Sequence, residues 1–128
     1  MKRKYNNQKI VIDGIAFDSR REAHRYRELK LLERAGEISE LELQKRFDLI
    51  PAQYESYARY GKRGQRLKDG RRCVEKGVVY VADFAYKDKG GNAVVEDTKG
   101  MRKGTAYDVF VLKRKLMLYL HGIRIREV

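Results

Sequence analysis

The segment Val78–Lys99, VVYVADFAYKDKGGNAVVEDTK, decides the fold of this chain. Its first half is rich in β-branched and aromatic residues, which is typical of a strand. Lys87–Asn92 has the composition of a tight turn, and Ala93–Lys99 then returns as a second strand. The segment therefore predicts an antiparallel β-hairpin.

Two acids of this hairpin are predicted to meet. Strand alternation gives Asp83 the same face as Val79 and Val81, and it gives Asp97 the same face as Lys99. If the turn is centred on the first of its two glycines, Asp83 and Asp97 are directly opposed, and opposed residues point to the same side. Facing carboxylates repel each other unless a cation joins them, and Mg²⁺ prefers such oxygen ligands. The pattern therefore predicts a metal site.

The acid-x-Lys spacing of Asp97–Lys99 is weak by itself. In a chain with 18 acids and 14 lysines, such triplets arise by chance, and Glu28–Lys30 is a second one, on a predicted helix. Only Asp97–Lys99 combines the strand context with a facing acid. By alternation Glu96 lies on the opposite face of the strand and is left out of the site.

A helix is predicted to precede the hairpin in the chain, from Arg20 to about Ala35. Asp18 or Ser19 can cap its start, and Gly36 stands where a helix commonly ends. Its predicted buried stripe consists of Tyr26, Leu29 and Leu32. Glu22 falls on the same stripe, where an acid is costly unless something charged meets it. Glu22 is therefore a candidate third acid of the site.

The remaining pattern predicts an α/β fold with one domain over residues 1–128. A strand is expected over Ile38–Ile50, a second helix over about Ala106–His121, and a final strand over Ile123–Arg126. The mixed β-sheet would be flanked by the two helices. The predicted buried face of the second helix consists of Val109, Leu112, Leu116, Tyr119 and Leu120. Val111 and Leu118 on its back could be covered by another segment or by a second subunit, so a homodimer is a candidate assembly.

The net charge of the chain indicates which classes of partner it binds. The formal net charge is +12, which points to a polyanion such as nucleic acid or an anionic membrane. Membrane binding is disfavoured, because no apolar stretch is long enough to span and no helix is basic and amphipathic. Cys73 is the only cysteine, which excludes an internal disulfide, and no secretory signal is recognised. We expect a cytoplasmic protein that binds no small-molecule cofactor.

Two segments concentrate the basic residues. Residues 1–9 form a basic arm, either simply disordered or wrapped on DNA. Residues 52–77 form a hairpin or long loop inserted in the domain, with three tyrosines interleaved among its basic residues. That composition favours a nucleic-acid contact surface over a solubilising loop. The predicted contacts are Lys2, Arg3, Lys4, Arg59, Lys62, Arg63, Arg66, Arg71, Arg72, Arg102 and Lys103.

Asp83, the triplet Asp97-Thr98-Lys99 and a preceding helix carrying Glu22 resemble the PD-(D/E)XK nuclease superfamily. The flanking segment Phe17–Ala23 is similar to a small phage-encoded branch related to Holliday-junction resolvases and transposase endonuclease subunits. The likeness omits the basic arm and the insertion, and it departs from the motif at Ala82, where the proline would stand.

The resemblance implies a restriction-endonuclease-like core and a Mg²⁺-dependent DNA endonuclease, with Mn²⁺ able to substitute. Asp83, Asp97 and the backbone carbonyl of Thr98 would bind the metal, and Glu22 would complete the site, directly or through water. Lys99 would orient the attacking water. The DNA would be duplex or branched, as in recombination intermediates. The alternative is a basic nucleic-acid-binding protein without catalysis, in which these charges would be splayed over the surface.

Overall fold

The computed structural model describes residues 9–128, so Lys2, Arg3 and Lys4 of the predicted basic arm lie outside the described residues. The described part of the chain is a mixed α/β protein, as predicted, with two helices and a mixed sheet. Its elements are β1 (Ile10–Ile12), β2 (Ile15–Phe17), α1 (Arg20–Arg34), β3 (Ile38–Ile50), β4 (Gln53–Tyr60), β5 (Arg66–Glu75), β6 (Val78–Asp88), β7 (Ala93–Asp97), α2 (Thr105–His121) and β8 (Arg126–Glu127).

The main sheet has the strand order β3-β6-β7-β8. β6 is antiparallel to both β3 and β7, whereas β8 lies parallel to β7 because α2 crosses over between them. β8 covers Arg126–Glu127 and is therefore shorter and later than the predicted strand over Ile123–Arg126. One core cluster packs α1 against the sheet, and a second packs α2 against it.

The predicted register of the β6–β7 hairpin is confirmed. Phe84 pairs with Glu96 and Lys87 with Ala93, so the pairing is centred on Gly90 and, continued by one residue, opposes Asp83 to Asp97. The Asp88 N–H donates to the Asn92 carbonyl, which closes a three-residue loop. Gly91 has φ +81°, the left-handed conformation that a three-residue hairpin loop requires and that glycine adopts without strain.

Helix α1 begins and ends as predicted. The Ser19 hydroxyl accepts a hydrogen bond from the Glu22 N–H, and Gly36 follows the helix with φ +77°. Tyr26 and Leu29 are buried, but the prediction for Leu32 is wrong, since this side chain is 37% exposed. The buried face runs through Ala23 instead, because the helix rests on the sheet at its first three turns.

The predicted buried face of α2 is wrong. Phe110 and Met117 are the buried residues of this helix, and Leu116 is partly buried. The other predicted core residues are exposed: Val109, Leu112, Tyr119 and Leu120. Apolar side chains surround much of the helix, so periodicity alone selected the wider stripe rather than the one that meets the sheet. Neither helix within residues 9–128 is long and apolar enough to cross a membrane.

β6 changes face at the candidate site. Tyr80, Ala82 and Ala85 all pack in the α2 cluster. The side chains that face α2 are therefore even-numbered up to Ala82 and odd-numbered at Ala85, so the strand shifts by one residue between them. The alternation predicted for Val79, Val81 and Asp83 is therefore broken. On the paired strand β3, Gln44 has φ +53°, a conformation rare outside glycine. Gln44 lies between the pairs Leu43–Phe84 and Lys45–Ala82, across from Asp83.

β4 and β5 form the hairpin predicted for residues 52–77. Every residue of β4 is exposed, and in β5 only Leu67 and Gly70 are partly covered. Ile50 and Val78 pair directly at its base, so the chain leaves the sheet and returns to it at neighbouring positions. We call residues 52–77 the basic hairpin from here on.

Candidate active site

Three separate elements bring the predicted site residues together. Glu22 lies in the first turn of α1, Asp83 lies in β6, and Asp97 ends β7 with Lys99 just beyond it. Burial, together with the nearby carboxylates of Asp83, Asp18 and Asp97, raises the pKa of Glu22 to about 7. The four residues therefore share one site rather than being splayed over the surface.

Asp97 is buried and held from two sides. The Tyr80 hydroxyl donates to Asp97 Oδ2 at 2.5 Å, and Lys99 Nζ lies 3.0 Å from Asp97 Oδ1. Burial and the neighbouring Asp83 raise the pKa of Asp97, against the opposite effect of the Tyr80 and Lys99 contacts. Burial and Asp97 also raise the pKa of the Tyr80 phenol, which therefore remains a donor. Tyr80 was not predicted as a site residue, because strand alternation places it on the opposite face of β6 from Asp83 and therefore away from Asp97.

Asp83 is bonded to the strand opposite. Asp83 Oδ2 accepts hydrogen bonds from the Thr98 N–H at 2.9 Å and from Thr98 Oγ1 at 2.7 Å. On the other edge of the same strand, the Lys99 N–H bonds to Val128 and the Asp97 carbonyl accepts from Val128. Since peptide groups alternate along a strand, the Thr98 carbonyl points to the Asp83 side, as its predicted role as a metal ligand requires.

Lys99 lies over an aromatic ring. Its Nζ is 3.9 Å from the centroid of Phe110, one of the two buried residues of α2. The side chain is only 22% exposed. A cation–π contact and the ion pair with Asp97 thus fix the ammonium group at the mouth of the site.

Glu22 has a neutral partner. Gln44 Nε2 donates to Glu22 Oε1 at 3.2 Å, from the position at which β3 takes its left-handed conformation. The irregularity of the strand therefore aims an amide at the acid, which no sequence pattern predicted.

A buried ion pair connects the elements that carry Glu22 and Asp97. Arg25 donates from Nε to Glu96 Oε1 and from Nη2 to Glu96 Oε2, each at 2.7 Å, and Tyr86 also donates to Glu96. Although burial acts to raise it, these contacts hold the pKa of Glu96 below its usual value. Glu96 is fully buried on the α1 side of the sheet, which confirms its predicted face. We call Arg25, Tyr86 and Glu96 the clamp.

The donor set fits a hard divalent cation. Within residues 9–128, no three Asp, Glu, His or Cys side chains are grouped as ligands of one ion, because each carboxylate is turned to its own protein donor. Burial, and after it the neighbouring carboxylates, raise the pKa values of Glu22 and Asp97, and a bound cation would favour the ionised form of both groups. Carboxylate and carbonyl oxygens are the ligands that Mg²⁺ and Mn²⁺ prefer.

Over residues 2–125 the chain matches the family described as "Protein of unknown function (DUF1064)". The chain belongs to this family. No curated protein and no solved structure matches it. The DUF1064 match spans both helices, all strands up to β7 and the basic hairpin, so the site and the hairpin belong to one family unit.

Within residues 9–128, the predicted nucleic-acid contacts of this DUF1064 chain are exposed and lie on two segments. Arg102 and Lys103 lie in the loop between β7 and α2, where Arg102 Nε is 3.9 Å from a Glu127 carboxylate oxygen. The remainder lie on the basic hairpin: Arg59, Lys62, Arg63, Arg66, Arg71 and Arg72. The structure thus separates a buried acidic site from exposed basic surfaces.

Proposed function

We propose that this chain is a metal-dependent DNA endonuclease of the PD-(D/E)XK type. The observation that carries the proposal is the convergence of Glu22, Asp83, Asp97 and Lys99 on one site at the break in β6. These residue types match the superfamily pattern, and the sheet topology is compatible with a restriction-endonuclease-like core. The phage-encoded branch that the sequence resembles is similar to Holliday-junction resolvases, so we propose branched recombination intermediates as the substrate, in the cytoplasm of a bacterial or phage-infected cell.

Phosphodiester hydrolysis requires an activated water and stabilisation of negative charge at the phosphate. Asp83, Asp97 and the Thr98 carbonyl would hold Mg²⁺, or Mn²⁺ in its place, which supplies both when bound. Lys99 is fixed beside Asp97 and would contact the attacking water or a phosphate oxygen. Glu22, with a pKa of about 7, is suited to accept a proton near neutral pH or to add a further oxygen ligand.

The decisive experiment is a cleavage assay in Mg²⁺ with labelled duplex, flap and four-way-junction DNA. We expect Mg²⁺-dependent cleavage by the parent chain, strongest on the junction, and none by Asp83→Asn. Asp108→Asn is a matched control, since Asp108 is an exposed acid in the first turn of α2. Equal cleavage by the parent and Asp83→Asn would refute the assignment.

The alternative is a nucleic-acid-binding protein without catalysis. It is favoured by one observation, that each carboxylate of the site already has a protein hydrogen-bond donor. Calorimetric titration with Mg²⁺ separates the two functions. A catalytic site binds Mg²⁺ with a heat that Asp97→Asn abolishes, whereas a structural acid cluster gives the same trace in both proteins.

A further inference from the structure

The basic hairpin is a two-stranded ribbon with both faces exposed. β4 has eight residues and would extend about 26 Å. Two strands with their side chains are about as wide as the major groove of B-DNA, which admits such a ribbon. Lys62 and Arg63 lie in the loop at its tip, between Gly61 and Gly64. Shape and position therefore suit insertion into a groove with phosphates on both sides.

The charge of the hairpin is strongly positive. Residues 52–77 contain eight basic and three acidic residues, and two of the acids are already paired, Glu55 with Arg72 and Asp69 with Arg66. Among the described residues, the following basic side chains of the hairpin form no salt bridge: Arg59, Lys62, Arg63, Lys68, Arg71 and Lys76. These cations remain available for an external polyanion.

An arginine guanidinium group lies over the ring of each tyrosine in β4. Arg71 lies 4.2 Å from the ring centroid of Tyr54, and Arg66 lies 5.6 Å from that of Tyr60. On the opposite face of the ribbon, Arg72 lies 5.0 Å from the ring of Tyr57. The Tyr57 ring also covers Gly70, where an added Cβ would meet Tyr57 Cζ at 2.3 Å.

These stacks distinguish two ways of binding nucleic acid. A tyrosine that stacks on bases, as in single-strand binding, needs an open ring face. A guanidinium that stacks on a ring keeps its N–H edges free for phosphate or for guanine. Each arginine covers one face of its tyrosine ring, so the rings are placed to support arginine side chains. Arg66 and Arg72 are also paired with acids, whereas Arg71 forms no salt bridge among the described residues and keeps its N–H groups available to an external anion.

We propose that the basic hairpin inserts into the major groove of double-stranded DNA, with the tyrosines positioning arginines rather than stacking on bases. The inference deepens the proposed function, on which it rests for the identity of the polyanion as DNA. It assigns the hairpin to a duplex arm of the substrate, away from the acidic site that would cut. The basic hairpin would then determine the affinity for DNA, and the acidic site would carry out the cleavage.

The first test measures binding without divalent metal, so that cleavage plays no part. Fluorescence anisotropy with a labelled 24-base-pair duplex and the corresponding single strand compares the parent with Lys62→Ala/Arg63→Ala/Arg71→Ala. We expect the triple variant to bind the duplex at least tenfold more weakly at 100 mM salt. The slope of log K against log salt should flatten by about 2 to 3, at roughly 0.9 per lost phosphate contact.

The matched control removes three exposed charges from the helices, as Arg27→Ala/Arg34→Ala/Lys115→Ala. It should keep the parent duplex affinity within about twofold. Equal losses in the two triple variants would mean that net charge alone drives binding and would overturn the proposal. A parent that binds the single strand as tightly as the duplex would overturn it as well.

A double-mutant cycle tests the role of the tyrosine. If Tyr54 acts only by holding Arg71, Tyr54→Leu weakens duplex binding in the parent and has no further effect in Arg71→Ala. Additive losses would show that Tyr54 contacts DNA itself, against the proposal. Because these assays contain no metal, loss of duplex binding in the hairpin variants supports this inference even if the cleavage assay fails. Conversely, if the parent cleaves DNA but the hairpin variants bind the duplex as tightly as the parent, the proposed function stands and this inference is refuted.

Discussion

The chain contains two consecutive hairpins with the same turn and opposite environments. In β4–β5, the Gly61 N–H donates to Gln65 and Gly64 has φ +78°; in β6–β7, the Asp88 N–H donates to Asn92 and Gly91 has φ +81°. Both loops have three residues with the left-handed glycine last. Yet β6–β7 forms the centre of the sheet, whereas β4–β5 is exposed on both faces.

The side chains, not the turns, set the two environments. β6–β7 contributes buried apolar residues to both core clusters, among them Phe84 and Val95, whereas no residue of β4–β5 belongs to either cluster. The ionisable groups follow the same division. The site acids Asp83 and Asp97 lie in the buried hairpin, where burial raises the pKa of Asp97, whereas basic residues predominate in the exposed hairpin. The turn thus specifies how the strands pair, while the side-chain composition decides whether the hairpin is buried in the sheet or exposed.

The largest expected contrast between the hairpins is in cleavage. Asp97→Asn and Asp83→Asn should reduce the cleavage rate to background, and Lys99→Ala should reduce it by about 10² to 10³-fold, because a lost charge-stabilising contact costs that much. DNA affinity should be unchanged in all three. Glu75→Gln, at an exposed acid of β5, is the control and should cleave at the parent rate. Cleavage rates measured with saturating junction DNA test this contrast. A reduced cleavage rate in Glu75→Gln would contradict it.

The next contrast is in stability. Arg25→Met leaves Glu96 buried without its cation and should lower the free energy of unfolding by about 3 to 5 kcal/mol. Arg71→Met, at an exposed Tyr–Arg stack, should cost less than about 1 kcal/mol. Urea unfolding of both variants gives the two values. Arg25→Met/Glu96→Leu should recover most of the loss, since no charge is then left unpaired; equal costs for the two single variants would contradict a clamp.

A smaller effect concerns pH. The folded protein keeps a proton on Glu22 up to a pKa of about 7, whereas the unfolded chain releases it near 4.5. The unfolded state therefore binds fewer protons in this window, and the Glu22 contribution makes stability fall as pH rises from 4.5 to 7. The difference in unfolding free energy between Glu22→Gln and the parent should grow by about 3 kcal/mol between pH 4.5 and 8.

Metal and a control variant sharpen that pH measurement. Mg²⁺ should remove much of the difference at pH 8, because Glu22 is ionised there and a bound cation offsets its repulsion by the neighbouring carboxylates. Glu75→Gln should show the same pH profile as the parent. A Glu22→Gln profile parallel to the parent's would mean that Glu22 is not coupled to Asp83 and Asp97.

The smallest effect compares the two turns directly. Gly64→Ala and Gly91→Ala each place a Cβ at positive φ, which strains the loop by about 1 kcal/mol. Gly91→Ala should lower the melting temperature of the whole domain, because its hairpin belongs to the core. Gly64→Ala should leave the melting temperature unchanged and only speed amide exchange within β4–β5. Equal shifts in melting temperature would show that the basic hairpin is coupled to the sheet.

Much of this arrangement could be predicted from the sequence, for identifiable reasons. The register of Asp83 and Asp97 followed from the turn, since its centre fixes every pair along the hairpin. Helix α1 was predictable because Ser19 and Gly36 mark its ends. The α2 face was not, because Phe110 and Met117 lie beside a wider apolar stripe, and periodicity does not say which stripe is covered.

Other parts of the site had no sequence signal. The left-handed conformation of Gln44 and the change of face in β6 arise from pairing between strands that are distant in the chain. They bring Gln44 to Glu22 and Tyr80 to Asp97. The clamp was equally hidden, because Arg25 and Glu96 are 71 residues apart in the chain and only the packing of α1 on the sheet joins them.

The direct pairing of Ile50 with Val78 has an evolutionary consequence. The basic hairpin is attached at two adjacent points of one strand pair, so its length and composition can drift, or be exchanged by recombination, without changing any core contact. Selection for a new target could thus act on residues 52–77 while the acidic site is inherited intact. Family members are then expected to diverge fastest in this segment.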